Sequence, residues 1–566
     1  MEGERNLEMD LELLLEKAEQ RRGELIALLR DLPPEKDEYG DYVAQQVCFF
    51  EELREAANER LLALTQWFEL RKTRNPQCEV DFIAFNLIKA VYLCGEHLRA
   101  AVAVGIDALF CERDFESIYK SENHMLLFHT ARLLYTQRMP EAVLAAYQKT
   151  GAQLYAEDLR YVKEFLVFRA KRGWAEFDTY GYTKVIIDCL LALRDFCADK
   201  ALCRLAEQCL NLILLDMLAD CSGPFYGGAH GRVYEHQILN QNLCGMFWVY
   251  YLYFGHDYVD RIENANVYDL LSSDFRPADY VYAAWSQKPA VYENFESKHL
   301  HSISSDLPHR QLPQAPGSIN KYTYVTPDYV IGAVNLQDAY PEGSDAGWYA
   351  HHEQHEWDLM LTDAPDIRIF THHPGCSGTE GKEHGQWTGD LGCGCGKFFC
   401  NRGRLIALYD IPQKEEKRIH AYVPRRFFEE RQDGRYLFLH RGRVYISLWF
   451  SNGYESAEGE NAGIEMNSYG ARHCVVCEVA TVEEYESFDR FIAAVREKEI
   501  AFDSDKMSAA YQELYIEGNE RKIAGEPVQF PYHTYQCPFL YEAFNSGVVT
   551  VNGKTTIEFT SGAESV

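Results

Sequence analysis

A chain of 566 residues is too long for one hydrophobic core, because single cores stop growing at roughly 250–300 residues, so two large domains are expected. With 47% hydrophobic and 25% charged residues it has the composition of an ordered globular protein, and a formal net charge of −30 argues against nucleic acid and anionic membranes as partners. The acidic start Met1-Glu2-Gly3-Glu4-Arg5-Asn6 lacks the pattern of a secretion signal, and apolar stretches such as 210–218 fall short of the roughly 20 residues of a membrane span. Seventeen cysteines then read as reduced thiols of a cytoplasmic protein.

Between residues 7 and 267 apolar side chains recur at i, i+3, i+4 and i+7, as in Leu11-Leu14-Leu15-Ala18 and Val185-Ile186-Cys189-Leu190-Leu193. Turn signals at Pro33-Pro34, Asn75-Pro76, Pro140, Gly173, Gly223-Pro224 and Gly227-Gly228 divide this half into nine or ten helices, with sequential antiparallel neighbours. The stretch 299–318 turns to Ser, Pro, His and Gln and reads as a linker between an all-helical domain, 1–298, and a β domain, 319–566. Beyond it the period becomes two: Tyr322-Thr323-Tyr324-Val325, Tyr329-Val330-Ile331, Ile367-Arg368-Ile369-Phe370, Leu405-Ile406-Ala407-Leu408-Tyr409 and Val444-Tyr445-Ile446-Ser447-Leu448 predict antiparallel strands of a large sandwich. One helix, 482–498, interrupts them, and a hairpin turning at Asn552-Gly553 follows near the end of the chain.

This order of elements resembles the polysaccharide lyases built from an incomplete (α/α) toroid and an antiparallel β-sandwich, the heparinase II/III-like and alginate-lyase families. Asn123-His124, in Ser121-Glu122-Asn123-His124 at the head of an apolar helix, looks like the Asn-His pair with which the toroid alginate lyases bind a uronate carboxylate. β-Elimination removes the C5 proton beside that carboxylate, so donors that neutralise it stabilise the developing enolate. The plain alternative is a helix cap at Ser121 or Asn123 beside a satisfied buried histidine.

The stretch Gly173-Trp174-Ala175-Glu176-Phe177-Asp178-Thr179-Tyr180-Gly181-Tyr182 precedes an amphipathic helix. The resemblance implies a tyrosine at this junction as base and acid: Tyr182 first, Tyr180 second, with Trp174 and Glu176 on the substrate side. Gly227-Gly228-Ala229-His230-Gly231-Arg232-Val233-Tyr234-Glu235-His236 adds a guanidinium, a phenol and an imidazole at a glycine-rich turn, so Arg232 and Tyr234 are candidate sugar contacts and His236 an assisting group. Packed tyrosines and a glycine-rich helix connection are the alternatives.

In the β half, 349–361 resembles the His-containing first strand of the heparinase II/III sandwich, which makes His355 a second assisting imidazole. His355 and His373 lie 18 residues apart, the spacing of two zinc ligands that the resemblance implies, although His stands where Asp is expected. A structural zinc held by His355, His373, His384, Cys393 and Cys395 is one reading, and a tight loop of reduced thiols is the other. Arg425, beside Arg426, either completes an anionic-sugar site or pairs with Glu429 and Glu430.

The expected function is a lyase acting on a uronic-acid-containing oligosaccharide in a cleft between toroid and sandwich. The alternatives are a toroid-type glycoside hydrolase with paired carboxylates, Glu176 with Asp178 or Glu353 with Glu356, and a non-catalytic carbohydrate-binding protein. No organic cofactor is expected, and a homo-oligomer is left open.

Overall fold

The computed structural model describes residues 2–71, 75–119, 121–258, 266–298, 319–336, 355–375, 385–388, 394–528, 530 and 533–560. A helical region is followed by a β region dominated by one large antiparallel sheet. No helix among the described residues is long and apolar enough to cross a membrane.

Five helices carry the residues of interest: α1 (Val80–Cys94), α2 (Glu122–Arg138), α3 (Gly151–Arg172), α4 (Tyr182–Phe196) and α5 (Lys200–Ala219). Their starts follow local chemistry. Thr150 and Gln153 form a reciprocal capping box on α3, and the Asp199 carboxylate accepts the Leu202 N–H at 2.8 Å on α5. On α5, Leu202, Leu205, Ala206, Cys209 and Ile213 repeat at helical spacing and are buried in the main core.

The strands used below are β1 (Tyr292–Lys298), β2 (Ile319–Val325), β3 (Tyr329–Leu336), β4 (Trp357–Leu361), β5 (Arg368–His372), β6 (Arg404–Asp410), β7 (Arg418–Tyr422), β8 (Tyr436–Arg441), β9 (Val444–Phe450), β10 (Arg472–Thr481), β11 (Ile500–Asp503) and β12 (His533–Gln536). The large sheet has twelve strands, with β7-β5-β4-β3-β2-β1-β12 as its centre. A six-stranded sheet contains β6-β10-β9-β8, and a five-stranded sheet starts at β11. Val330, Ile331 and Leu359 of the large sheet share one buried cluster with Leu405, Leu439 and Ile446 of the six-stranded sheet.

Two expectations are corrected here. Tyr292–Lys298, inside the expected helical half, is β1, a strand paired along its length with β2 and also bonded to β12. Its Glu296 and Lys298 hide the strand pattern because they are buried in a charge cluster shared with Asp178 and Asp216. The expected helix 482–498 is shorter, Phe488–Arg496, since the Ser487 hydroxyl caps it by accepting the Arg490 N–H at 3.2 Å. The hairpin forms as expected: Val548–Val551 pairs with Thr555–Glu558, and Asn552 and Gly553 turn it with φ of 52° and 63°. Residues 299–318 and 349–354, the expected linker and the lead-in to β4, lie outside the described residues.

Candidate functional site

The site begins at the mouth of α2. The Glu122 carboxylate, fully buried, accepts the N–H groups of Ala175 (3.1 Å) and Glu176 (2.7 Å) and pairs with Arg169 at 3.0 Å. It thereby fastens the loop 173–181 against the helix start. Ser121 makes no side-chain cap; its hydroxyl bonds to Asn123 Oδ1 instead. The Asn123 Nδ2 is buried and has no hydrogen-bond partner among the described residues, a costly state for an amide unless a ligand or water meets it. His124 Nδ1 lies 2.7 Å from the buried Asp81 carboxylate, and its ring lies 5.5 Å from that of Tyr119. The imidazole is therefore oriented from behind.

Loop 173–181 and loop 227–236 are joined through their backbones. Gly231 N–H donates to Phe177 O (2.7 Å), the Thr179 hydroxyl to Arg232 O (2.7 Å), and His230 Nδ1 to Asp178 O (2.7 Å). Asp178 and Arg232 both adopt left-handed backbones, with φ of 52° and 47°, an arrangement that costs about 1–2 kcal/mol each for non-glycine residues and persists only where surrounding contacts impose it. The result is a short row of polar and aromatic side chains. The Arg232 guanidinium lies 5.1 Å from the Tyr182 ring centroid and 3.6 Å from Glu176. The Tyr182 and Tyr234 hydroxyls are hydrogen-bonded to each other, and the Tyr234 ring lies 6.1 Å from that of the exposed His236. Burial pushes the Tyr182 phenol well above its usual range, and Arg232 opposes that rise by favouring the phenolate.

A second, fully buried network lies where the loops meet the large sheet. The Tyr180 hydroxyl is 2.7 Å from Tyr226 O, 2.8 Å from His230 Nε2 and 2.9 Å from Arg368 Nη2. Arg368 also pairs with Asp358 at 2.9 Å, and Asp358 holds His355 Nε2 at 3.2 Å. His230 and His355 exchange two backbone hydrogen bonds of 2.8 Å. Burial pushes the His230 pKa down to about 3 and lowers that of His355, so both rings are neutral near pH 7. Tyr180 and His355 are thus removed from direct contact with a ligand and tie the helical and β regions together. Trp174 is likewise core, packed 6.1 Å from Phe165. Arg425 makes a two-pronged pair with Glu430 on the β region, the plain alternative given for it.

The loop rests on a buried charge cluster that contains no sequence-local motif. Lys298 of β1 contacts Asp178 (2.7 Å), Asp216 of α5 (3.0 Å) and Glu296 (2.8 Å), while Lys321 of β2 pairs with Asp178 and Asp220. Asp178 is held below the ordinary carboxylate range by the two lysines, whereas burial lifts Asp216 to about 7 and Glu296 well above its usual value. Among the described residues, Asp178, Asp216 and Glu296 form the one set of acidic, His or Cys ligand atoms close enough to hold a metal, within 4.8 Å of one another. The Lys298 ammonium already touches all three, supplying the positive charge that a metal would bring.

The expected zinc ligands that are described have other partners. His373 Nε2 faces Glu416 O at 2.9 Å and its Nδ1 accepts the Gly375 N–H at 3.1 Å; His355 is held by Asp358; His384 and Cys393 lie outside the described residues. Cys395 is half-buried. Among the described residues, the expected zinc ligands form no metal-binding set. Nearby, His372 and His420 approach at 3.2 Å, with Glu465 on His420 at 3.0 Å and Trp387 stacked over it at 4.3 Å.

No protein-family model and no curated protein matches this chain. Among solved structures, the chain is similar to the heparan sulfate lyase HepC from Pedobacter heparinus, with 11% identity and a TM-score of 0.36, over 86% of this chain and 80% of that one. A second similarity is to the endoglucanase CelQ from Clostridium thermocellum complexed with cellotriose, with 10% identity and a TM-score of 0.18, over 87% of this chain and 90% of that one. Similarities this faint carry no argument about the reaction, which rests on the side chains.

Proposed function

We propose that the chain is a carbohydrate-active enzyme, a lyase that cleaves a uronic-acid-containing glycan by β-elimination, with the helical region as an incomplete toroid and the two larger sheets as a sandwich. The observation that carries this reading is the Tyr182–Tyr234 hydroxyl pair with the Arg232 guanidinium against the Tyr182 ring. The guanidinium favours the phenolate against the burial that raises the phenol, and a second phenol keeps its oxygen oriented. Tyr182, as phenolate, takes the C5 proton. The C5–H electrons form the C4–C5 double bond, the C4–O4 bond breaks, and Tyr182 returns the proton to O4. Asn123, through its buried Nδ2, and His124 bind the carboxylate whose charge grows during this step. His236 contacts the sugar beside them, and the buried Glu176 holds Arg232 from behind.

The hydrolase alternative needs two carboxyl groups facing a glycosidic bond. Asp178 is committed to Lys298 and Lys321, which deprives Glu176 of its sequence partner. The test is incubation of the purified protein with a panel of uronate polymers, following ultraviolet absorbance of the unsaturated product. Wild-type protein should generate the chromophore and Tyr182→Phe should not. Products that carry solvent 18O and no double bond would replace the lyase with a hydrolase.

A further inference from the structure

Away from these loops, the end of β8, β9 and β10 meets β11 around a groove of about 450 Å3. Strand register assembles it. Trp449 sits opposite Tyr436 and Val476, Phe450 N–H donates to Arg435 O at 3.1 Å, and Ser451 N–H to Cys474 O at 2.9 Å. These pairings bring Arg435, Trp449, Ser451 and Arg472 to one mouth, and Ile500 and Phe502 of β11 close its apolar side. Arg472 is a fixed wall, bonded to Ser504 O at 2.9 Å and to Asp410 at 3.2 Å. Arg435 is exposed and has neither an ion pair nor a side-chain hydrogen bond among the described residues, and the half-buried Trp449 has no partner for its indole N–H.

Two guanidinium groups and an indole face line this groove, and none of its lining residues is acidic although the chain carries a net charge of −30. An indole offers a flat apolar surface with a polar edge, and a guanidinium offers a planar fork matched to a carboxylate. We propose that the groove is an accessory binding site for one uronate residue of a glycan, its ring lying on Trp449 and its carboxylate on Arg435. The ligand class rests on the proposed lyase reading, whereas the groove itself does not. Such a site contributes by holding a second point of a long chain, which raises effective concentration at the loops without altering the chemical step.

The experiment is saturation-transfer NMR of the full chain with the methyl glycosides of glucuronate, galacturonate and mannuronate, and with methyl glucoside as the uncharged control. Binding should favour at least one uronate over the glucoside, persist in Tyr182→Phe and Asn123→Ala, and weaken about tenfold in Arg435→Ala. Arg435 is exposed and unbonded among the described residues, so its removal leaves the fold intact; Trp449→Ala made in the Asn123→Ala background, which removes a carboxylate contact at the loops, and checked for folding by its melting temperature, should abolish binding. Absence of uronate binding, equal binding of the glucoside, or a signal unchanged in Arg435→Ala would each overturn the proposal. Failure of the lyase reading is scored separately, by the lack of unsaturated product from any polymer, and leaves the NMR outcome readable.

Discussion

Replacing Lys298 with methionine keeps most of the side chain's volume and deletes one charge, and the consequence can be worked from its contacts. Asp178, Asp216 and Glu296, at 2.7, 3.0 and 2.8 Å, would lose a common counter-ion in a site where all four groups are buried. Breaking a buried pair by removing one member costs about 3–5 kcal/mol, a large part of the roughly 5–15 kcal/mol that stabilises a domain. At roughly 2–4 °C per kcal/mol for a domain of ordinary size, the melting temperature should fall by about 6–20 °C. The loss should also depend on pH. Asp216 has its folded pKa raised from 3.8 to about 7, so between those values the folded state keeps a proton that the unfolded state has released. Stability therefore falls as pH rises through that window, by up to about 1.4 kcal/mol per unit for one group. Without Lys298 the carboxyls hold protons to still higher pH, and the deficit should be larger at pH 8 than at pH 5.5. Calorimetry or circular dichroism melts at both values give the answer. A variant that melts with wild type at pH 8, or whose deficit is equal at both, would refute the assignment of Lys298 as the central counter-ion.

Asn123→Ala should lower kcat by about a hundred- to a thousandfold, the usual cost of one donor to a developing oxyanion, while the lost bond from the buried Ser121 hydroxyl to its Oδ1 should cost about 1–3 kcal/mol of stability. Glu122→Gln leaves the buried Arg169 without its ion-pair partner and weakens the hold on Ala175 and Glu176. It should cost about 3–5 kcal/mol in a denaturant titration as well as activity. His230, pushed down to about 3, takes up a proton in the folded state only below the pH at which the unfolded imidazole does. Its contribution to stability is present above 6.5 and is lost as pH falls toward 3. Its NMR shifts should stay those of a neutral ring at pH 5, and a midpoint near 6.5 would contradict the buried network.

The division into a helical and a β region was legible because periods of 3.6 and 2 are written along the chain, and the Asn552-Gly553 turn because two left-handed residues demand that kind of sequence. Tyr182, Arg232, Tyr234 and Glu176 were legible as polar and aromatic groups at glycine-rich turns. What joins them was not, since one side of each joining bond is a backbone carbonyl, of Phe177, Asp178 or Arg232, which no residue type announces, and the Thr179 hydroxyl and His230 imidazole reach theirs only in the folded chain. Only tertiary packing buries Glu122, Lys298 and Lys321, and nothing local in the sequence announces it. Tyr180 and His355 had the right chemistry in the wrong place, as each is saturated by partners that arrive from distant segments.

β1 sits between β2, which follows it closely in the chain, and β12, at residues 533–536. During synthesis, Lys298 and its carboxylate partners are made long before β12 emerges from the ribosome. One edge of β1 must wait, with its backbone groups unpaired, for some two hundred residues to be added, and loop closure over such a distance is slow. The candidate site therefore assembles late. Its supporting loop is anchored to a strand whose second neighbour, β12, lies far downstream in the chain, so active protein should appear only after the β region up to β12 has been made.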